Sequence, residues 1–134
     1  MKLLLDTHIL LWSLYGNDRI SRDVWNMIAD TSNDVYYSTA SIWEITIKHM
    51  AKPEKMLISG TELAEKCNTV DFKMLAIADN HVKYLETLYR KAGAKPHNDP
   101  FDRIMIAQAK AEKMIFITHD SLMSDYEEAC ILSV

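Results

Sequence analysis

Long apolar runs are missing from this sequence. Nothing in it approaches the roughly 18 consecutive apolar residues of a membrane span, which excludes a helix of that kind. Cysteine is scarce as well. Cys67 and Cys130 lie far apart without metal-type spacing, so two buried thiols in a cytoplasmic protein are expected rather than a zinc site or a disulfide framework. A basic excess is also lacking. Lys and Arg number 15 against 19 Asp and Glu, a net charge of −4, which argues against nucleic-acid binding by bulk charge alone. That argument loses force if several acids share a metal site, because two divalent ions would bring the total to neutrality. No repeat, linker or low-complexity segment divides the chain. Met1-Lys2 leads straight into LLLD, a run too short for a signal peptide and closed by an acid, so a cytoplasmic location is expected.

What is present is an ordinary globular composition, 49% apolar and 25% charged over 134 residues. One domain, residues 1–134, with its own core is the expectation. KLLL reads as a short buried strand stopped at Asp6, and THILLWSLYG as a helix ending near Gly16. Val24, Trp25 and Ile28 stand at helical spacing behind Ser21, a candidate cap. DVYYS predicts a second strand, SIWEITIKHMAK a helix, and GTELAEKCN a short helix after Gly60. VDFKMLAI predicts a third strand, and ADNHVKYLETLYRKA an amphipathic helix with Val82, Leu85, Leu88 and Tyr89 facing in. Residues 92–98 read as a loop, Phe101 to Lys113 as a helix covered on most sides, MIFIT as a fourth strand and ACILSV as a fifth. Strands alternate with helices, and the best strands are unbroken apolar runs. The fold class this predicts is α/β: three layers, α/β/α, around a central, mostly parallel sheet of about five strands.

The stretch HNDPFDRIMIAQA turns from polar to apolar within a few residues. Asp99 before Pro100 is a strong helix N-cap, with Asp102 in the first turn. Three other acids stand at comparable places. Asp6 follows the first strand, Glu44 lies early in the helix after the second, and Asp120 follows the fourth. Each has a local explanation: Ser41-x-x-Glu44 matches a capping box, and Asp6 and Asp120 suit turns. Parallel strands, however, exit at one edge, where α/β sheets bind ligands. Crowded carboxylates there cannot all stay ionised without a counterion. Oxygen ligands without cysteine suit Mg²⁺ or Mn²⁺, which activates water for phosphodiester hydrolysis.

LLLDTHILLW, SIWEI, DPFDRIMIAQA and ITHD, in this order across essentially the whole chain, resemble the PIN-domain family, and within it the bacterial VapC-type toxins. The resemblance implies a PIN-like fold, a Mg²⁺- or Mn²⁺-dependent endoribonuclease acting on structured RNA, a homodimer, and a small cognate antitoxin that occludes the site. Matched to the family's acidic set, the catalytic and metal-binding residues are Asp6, Glu44, Asp102 and Asp120. Asp99 is an auxiliary candidate better read as the helix cap, and Thr118 matches a Thr that positions a water or ligand.

The remaining polar residues carry weaker signals. No histidine pairs with another histidine or a cysteine at zinc spacing; His8 is near the site, while His97 and His119 flank it and could meet RNA phosphates, the plainer reading being solvated loops. Lys48 and Lys52 with Lys55, and Arg90 and Lys95 with Lys91, form two basic patches that could follow an RNA backbone or simply face solvent. Arg103 is expected to pair with an acid, and Trp12, Trp25 and Trp43 to pack in the core or a dimer rather than stack on bases. A haloacid-dehalogenase-type phosphatase also begins with an Asp after its first strand. It needs a second Asp two positions on, where this chain has His8. The alternative outside catalysis is a weakly active module that grips RNA or an antitoxin without cutting.

Overall fold

Leu3, Leu4 and Leu5 are all fully buried, although successive residues of a strand face opposite sides of a sheet. Such a run needs cover on both faces, and β1, Lys2–Leu5, receives it. The computed structural model describes residues 1–134. It places β1 at the centre of five parallel strands in the order β3-β2-β1-β4-β5, with β2 Asp34–Ser38, β3 Lys73–Leu75, β4 Ile115–Thr118 and β5 Ile131–Ser133. Leu4 pairs with Tyr36 on one side and Phe116 on the other.

Alternation along the strands divides the core in two. Leu3, Leu5, Val35, Tyr37 and Ile117 face α1 (Thr7–Tyr15), α2 (Arg22–Ala29) and α4 (Gly60–Thr69). Leu4 and Phe116 face α6 (Pro100–Glu112), whose residues 104–109 are buried without a break. Between β2 and α4 runs α3, Thr39–Ala51, whose Ala40 and Ile45 enter opposite halves of the core. The sheet with helices on both faces is the three-layer α/β architecture expected from the sequence. Gln108, fully buried in α6, accepts from Ser38 Oγ and donates to the Leu75 carbonyl, so α6 is tied to the ends of β2 and β3. Gly60 allows α4 to start against α3, because a Cβ there would lie 1.8 Å from Thr46 Oγ1. No helix is long and apolar enough to cross a membrane.

Three local expectations are corrected. The third strand shrinks to Lys73–Leu75 because Phe72 N–H donates to the Cys67 carbonyl and finishes α4 instead. The helix expected from Ala78 onward stops after Asp79–Tyr84, here α5, and one 3₁₀ turn, Leu85–Thr87. Beyond it Glu127 N–H donates to Tyr89 O at 2.8 Å and Arg90 bridges Tyr126, pulling the backbone into an extended path. Val82 and Tyr89 are therefore exposed, and His81 fills the buried position, 2.8 Å from Glu112. Ser41 is not a cap, since α3 begins earlier, with Ser38 accepting from Ala40 N–H. Cys67 is buried as expected, and burial pushes its thiol up to about 12; Cys130 is only half-buried.

Candidate metal centre

Strand order reverses beside β1: the chain moves outward to β2 and β3, then crosses back to β4. At such a switch point the connections leave a crevice at the carboxyl ends of the strands. Asp6 leaves β1 there and Asp120 leaves β4, while α3 and α6, antiparallel to the strands, present their early turns.

Asp6 is buried and caps α1 by accepting from Ile9 N–H at 2.8 Å. Its other oxygen accepts from the Thr118 hydroxyl. Burial raises its pKa despite both bonds. Glu44 is buried as well, accepting from Thr7 Oγ1 at 2.7 Å and from Lys48 Nζ at 2.7 Å. Thr7 has only one proton to give and spends it on Glu44. The neighbouring Ser41 hydroxyl, at 2.9 Å, can then only donate to Thr7, sharing its proton with Met105 Sδ at 3.5 Å.

Asp102 sits in the first turn of α6, where Asp99 accepts from Phe101 N–H at 2.9 Å and Asp102 N–H at 3.1 Å. The Asp102 carboxyl is pushed up to about 8, first by burial and then by Asp99, Asp6, Glu44 and Asp120. Those four acids thus act on one group. Asp120 caps the following 3₁₀ turn through Leu122 N–H. Ligand atoms of His97, Asp102 and Asp120 all lie within 4.8 Å of one another. Asp6 and Glu44 are outside that tight trio but inside its electrostatic reach.

His97 corrects the expectation of a solvated loop residue: it is 5% exposed. Its Nε2 is 3.2 Å from Asp102 Oδ2, and its Nδ1 is 2.7 Å from the Tyr126 hydroxyl. Arg103 donates to that same hydroxyl at 3.0 Å, so it does not form the acid pair expected of it. With Arg103 donating, the Tyr126 O–H is free to donate to Nδ1, an order of donors that puts the imidazole proton on Nε2, facing Asp102. Burial lowers the His97 pKa, so the contact is a neutral hydrogen bond rather than an ion pair.

Thr118 donates to Asp6 and accepts from Asp120 N–H at 3.2 Å. Arg90 is turned inward, bonded to the carbonyls of Leu122 and Lys95 and stacked over Tyr126. Lys48 is committed to Glu44. Lys52, at the end of α3, and Lys95 remain at the surface. His119 is exposed, its Nδ1 2.5 Å from the Val134 carbonyl. Trp43 is exposed on α3 beside Ile47 and Met50, outside the core. Sequence reading assigned no site role to Thr7 or Tyr126, and took Ser41 only as a cap. Thr7 was detectable as the residue following Asp6, whereas Tyr126 carried no signal.

The donors are mostly oxygen, joined by one imidazole. No buried side-chain N or O lacks a hydrogen-bond partner, so what remains unrelieved is charge. A hard divalent cation fits that deficit.

A family model of the PIN domain matches residues 3–129. No curated protein matches the chain by sequence. Among solved structures, VapBC2 from Rickettsia felis bound to a DNA fragment from its promoter shares 11% identity at a TM-score of 0.67, covering 100% of this chain and 98% of that one. DNA-bound VapBC from Salmonella typhimurium shares 14% identity at a TM-score of 0.66, with 99% and 98% covered. At these identities the likeness is one of fold.

Proposed function

The chain belongs to the PIN domain family, and on that premise we propose that it is a Mg²⁺- or Mn²⁺-dependent endoribonuclease, the toxin of a toxin–antitoxin pair. The observation that carries this reading is the convergence of Asp102, Asp120 and His97 ligand atoms within 4.8 Å of one another, where burial and the neighbouring Asp99, Asp6, Glu44 and Asp120 push the Asp102 carboxyl up to about 8. Acids crowded this closely at a sheet's ligand-binding edge lower the stability of the empty protein, and a cation removes that cost.

Asp6, Glu44, Asp102 and Asp120 would hold the ion, with His97 within reach of the same space. When bound, a hard divalent cation lowers the pKa of a water and offsets charge gathering on a phosphodiester. The chain's own groups prepare that place. Thr118 and the Ile9 N–H fix Asp6, Thr7 fixes Glu44, and His97 Nε2–H aims Asp102. Asp99 serves as the helix cap. No serine or cysteine nucleophile is required.

Residues 1–134 act as one nuclease unit in the cytoplasm. The partners of this reading are an RNA substrate, a small cognate antitoxin and a second copy of the chain. VapBC assemblies share the fold, and the exposed Trp43, Ile47 and Met50 on α3 supply an apolar surface for a protein partner.

The test incubates purified protein with total RNA and Mg²⁺ or Mn²⁺, against EDTA and Asp6→Asn controls. Cleavage that needs the metal and is lost in the variant is expected. RNA that is bound yet stays intact would identify a binding module instead.

A further inference from the structure

Beside Asp120 opens a recess of about 240 Å³ lined by His8, Trp12, Arg19, His119 and Asp120 itself. We propose that it is a nucleotide subsite: one RNA base stacks on Trp12, and the adjoining phosphate meets Arg19 and His8. This rests on the nuclease reading above, and it adds where the strand lies next to the bond that is cut.

The position comes first. Asp120 belongs both to the recess and to the trio with Asp102 and His97. A strand crossing the acidic centre therefore has to place a neighbouring nucleotide here or leave it in solvent. The chemistry of the walls comes second. One acid faces an arginine, two imidazoles and an indole, in a protein whose net charge is −4. Arg19 is exposed and forms no ion pair, whereas Lys48, Lys73, Arg90, Lys91 and Lys110 each lie against a carboxylate. Its guanidinium instead rests 5.5 Å from the centre of the Trp12 ring. An exposed cation–π contact is weak, so Arg19 can move to a phosphate at little cost.

The rings supply the third observation. His119 meets Trp12 edge-on at 5.2 Å, and His8 is tilted against it at 5.9 Å. His119 is steadied through Nδ1 on the Val134 carbonyl, which leaves Nε2 for a ligand. Aromatic faces beside cations form the general platform for single-stranded nucleic acid, tolerant of sequence because every base has a π-face. A peptide anchor would instead call for apolar walls, and Trp12 is the single hydrophobic residue of this lining. Sequence spacing assigned Trp12 to packing. Trp12 does pack against the core from α1, and, half-buried, it also lines the recess.

The test measures cleavage and binding of a short fluorescein-labelled single-stranded RNA by the full chain and by Trp12→Ala, Trp12→Phe and Arg19→Gln. Loss of one stacked base is expected to raise the Kd and KM of Trp12→Ala by roughly 5- to 150-fold. Its kcat should change little, and Trp12→Phe should restore binding. Arg19→Gln, at an exposed position, should weaken binding and reduce its salt dependence. If Trp12→Ala fails to fold, an RNA carrying 5-iodouridine should still photocross-link to Trp12 or His119 in the unaltered chain. Wild-type cleavage with unchanged KM in the folded variants, or cross-links confined elsewhere, overturns the subsite and leaves the nuclease. RNA that binds through Trp12 without being cut keeps the subsite and removes the nuclease. RNA that ignores the recess altogether overturns the proposal.

Discussion

The hydroxyl of Thr118 donates to the carboxylate of Asp6, joining the end of β4 to the start of α1 across two paired strands. The same oxygen accepts from Asp120 N–H. One side chain thus sets the relation between two of the acids that arrive from separate strands.

Replacing it by the isostere, Thr118→Val, strips a buried carboxylate of a donor. A hydrogen bond to a charged group contributes about 1.5–3 kcal/mol, and urea unfolding should show a loss of that order. The hydroxyl also lowers the Asp6 pKa. Calorimetry should therefore show weaker Mn²⁺ affinity as well. Wild-type stability in the variant would mean that Thr118 only fills space.

Thr7→Val makes the corresponding test at Glu44. It removes the 2.7 Å bond to Glu44 and the 2.9 Å contact with Ser41, whose hydroxyl keeps Met105 Sδ at 3.5 Å as acceptor. An unfolding loss of about 1–3 kcal/mol is expected in denaturant titrations. Ser41→Ala should cost less, because Glu44 then keeps its donor.

Tyr126→Phe separates His97 from Arg103, leaving Nδ1 without its donor. Proton–nitrogen NMR of the imidazole should find the proton on Nε2 in the wild type and mixed tautomers in the variant. An Nδ1–H tautomer in the wild type would contradict the proposed order of donors.

The metal-free protein should lose stability as pH rises from about 4 to about 8. The ordinary carboxyl value is 3.8, and folding raises Asp102 to about 8. Across that window the unfolded chain has released its proton while the folded chain keeps it. The folded state then binds more protons, and stability falls as pH increases. Asp102→Asn should flatten the slope in thermal scans at several pH values; an unchanged slope would assign it to other groups.

Much of this was legible in the amino-acid order. Unbroken LLL and IFI announce strands covered on both faces, and Asp99-Pro100 announces the start of α6. The convergence of Asp6, Glu44, Asp102 and Asp120 follows from parallel topology, since each lies just past a strand exit or a helix start. What was not legible depends on contacts between distant segments. His97 reads as a loop residue until Tyr126, 29 positions on, is folded against it. Arg90 reads as a free cation until it is seen bonded to the Leu122 carbonyl 32 positions away. The stretch that would continue α5 has the right periodicity, but backbone pairing with residues near Glu127 wins over it.

Titration of the metal-free protein with Mn²⁺ by calorimetry at pH 7, in buffers of different ionisation enthalpy, tests the central claim most directly. Because Asp102 holds its proton near 8, binding should release about one proton per ion. Asp102→Asn should abolish both the release and most of the affinity. No binding heat in the wild type, or equal binding and proton release in the variant, would contradict an acidic centre built to hold a cation.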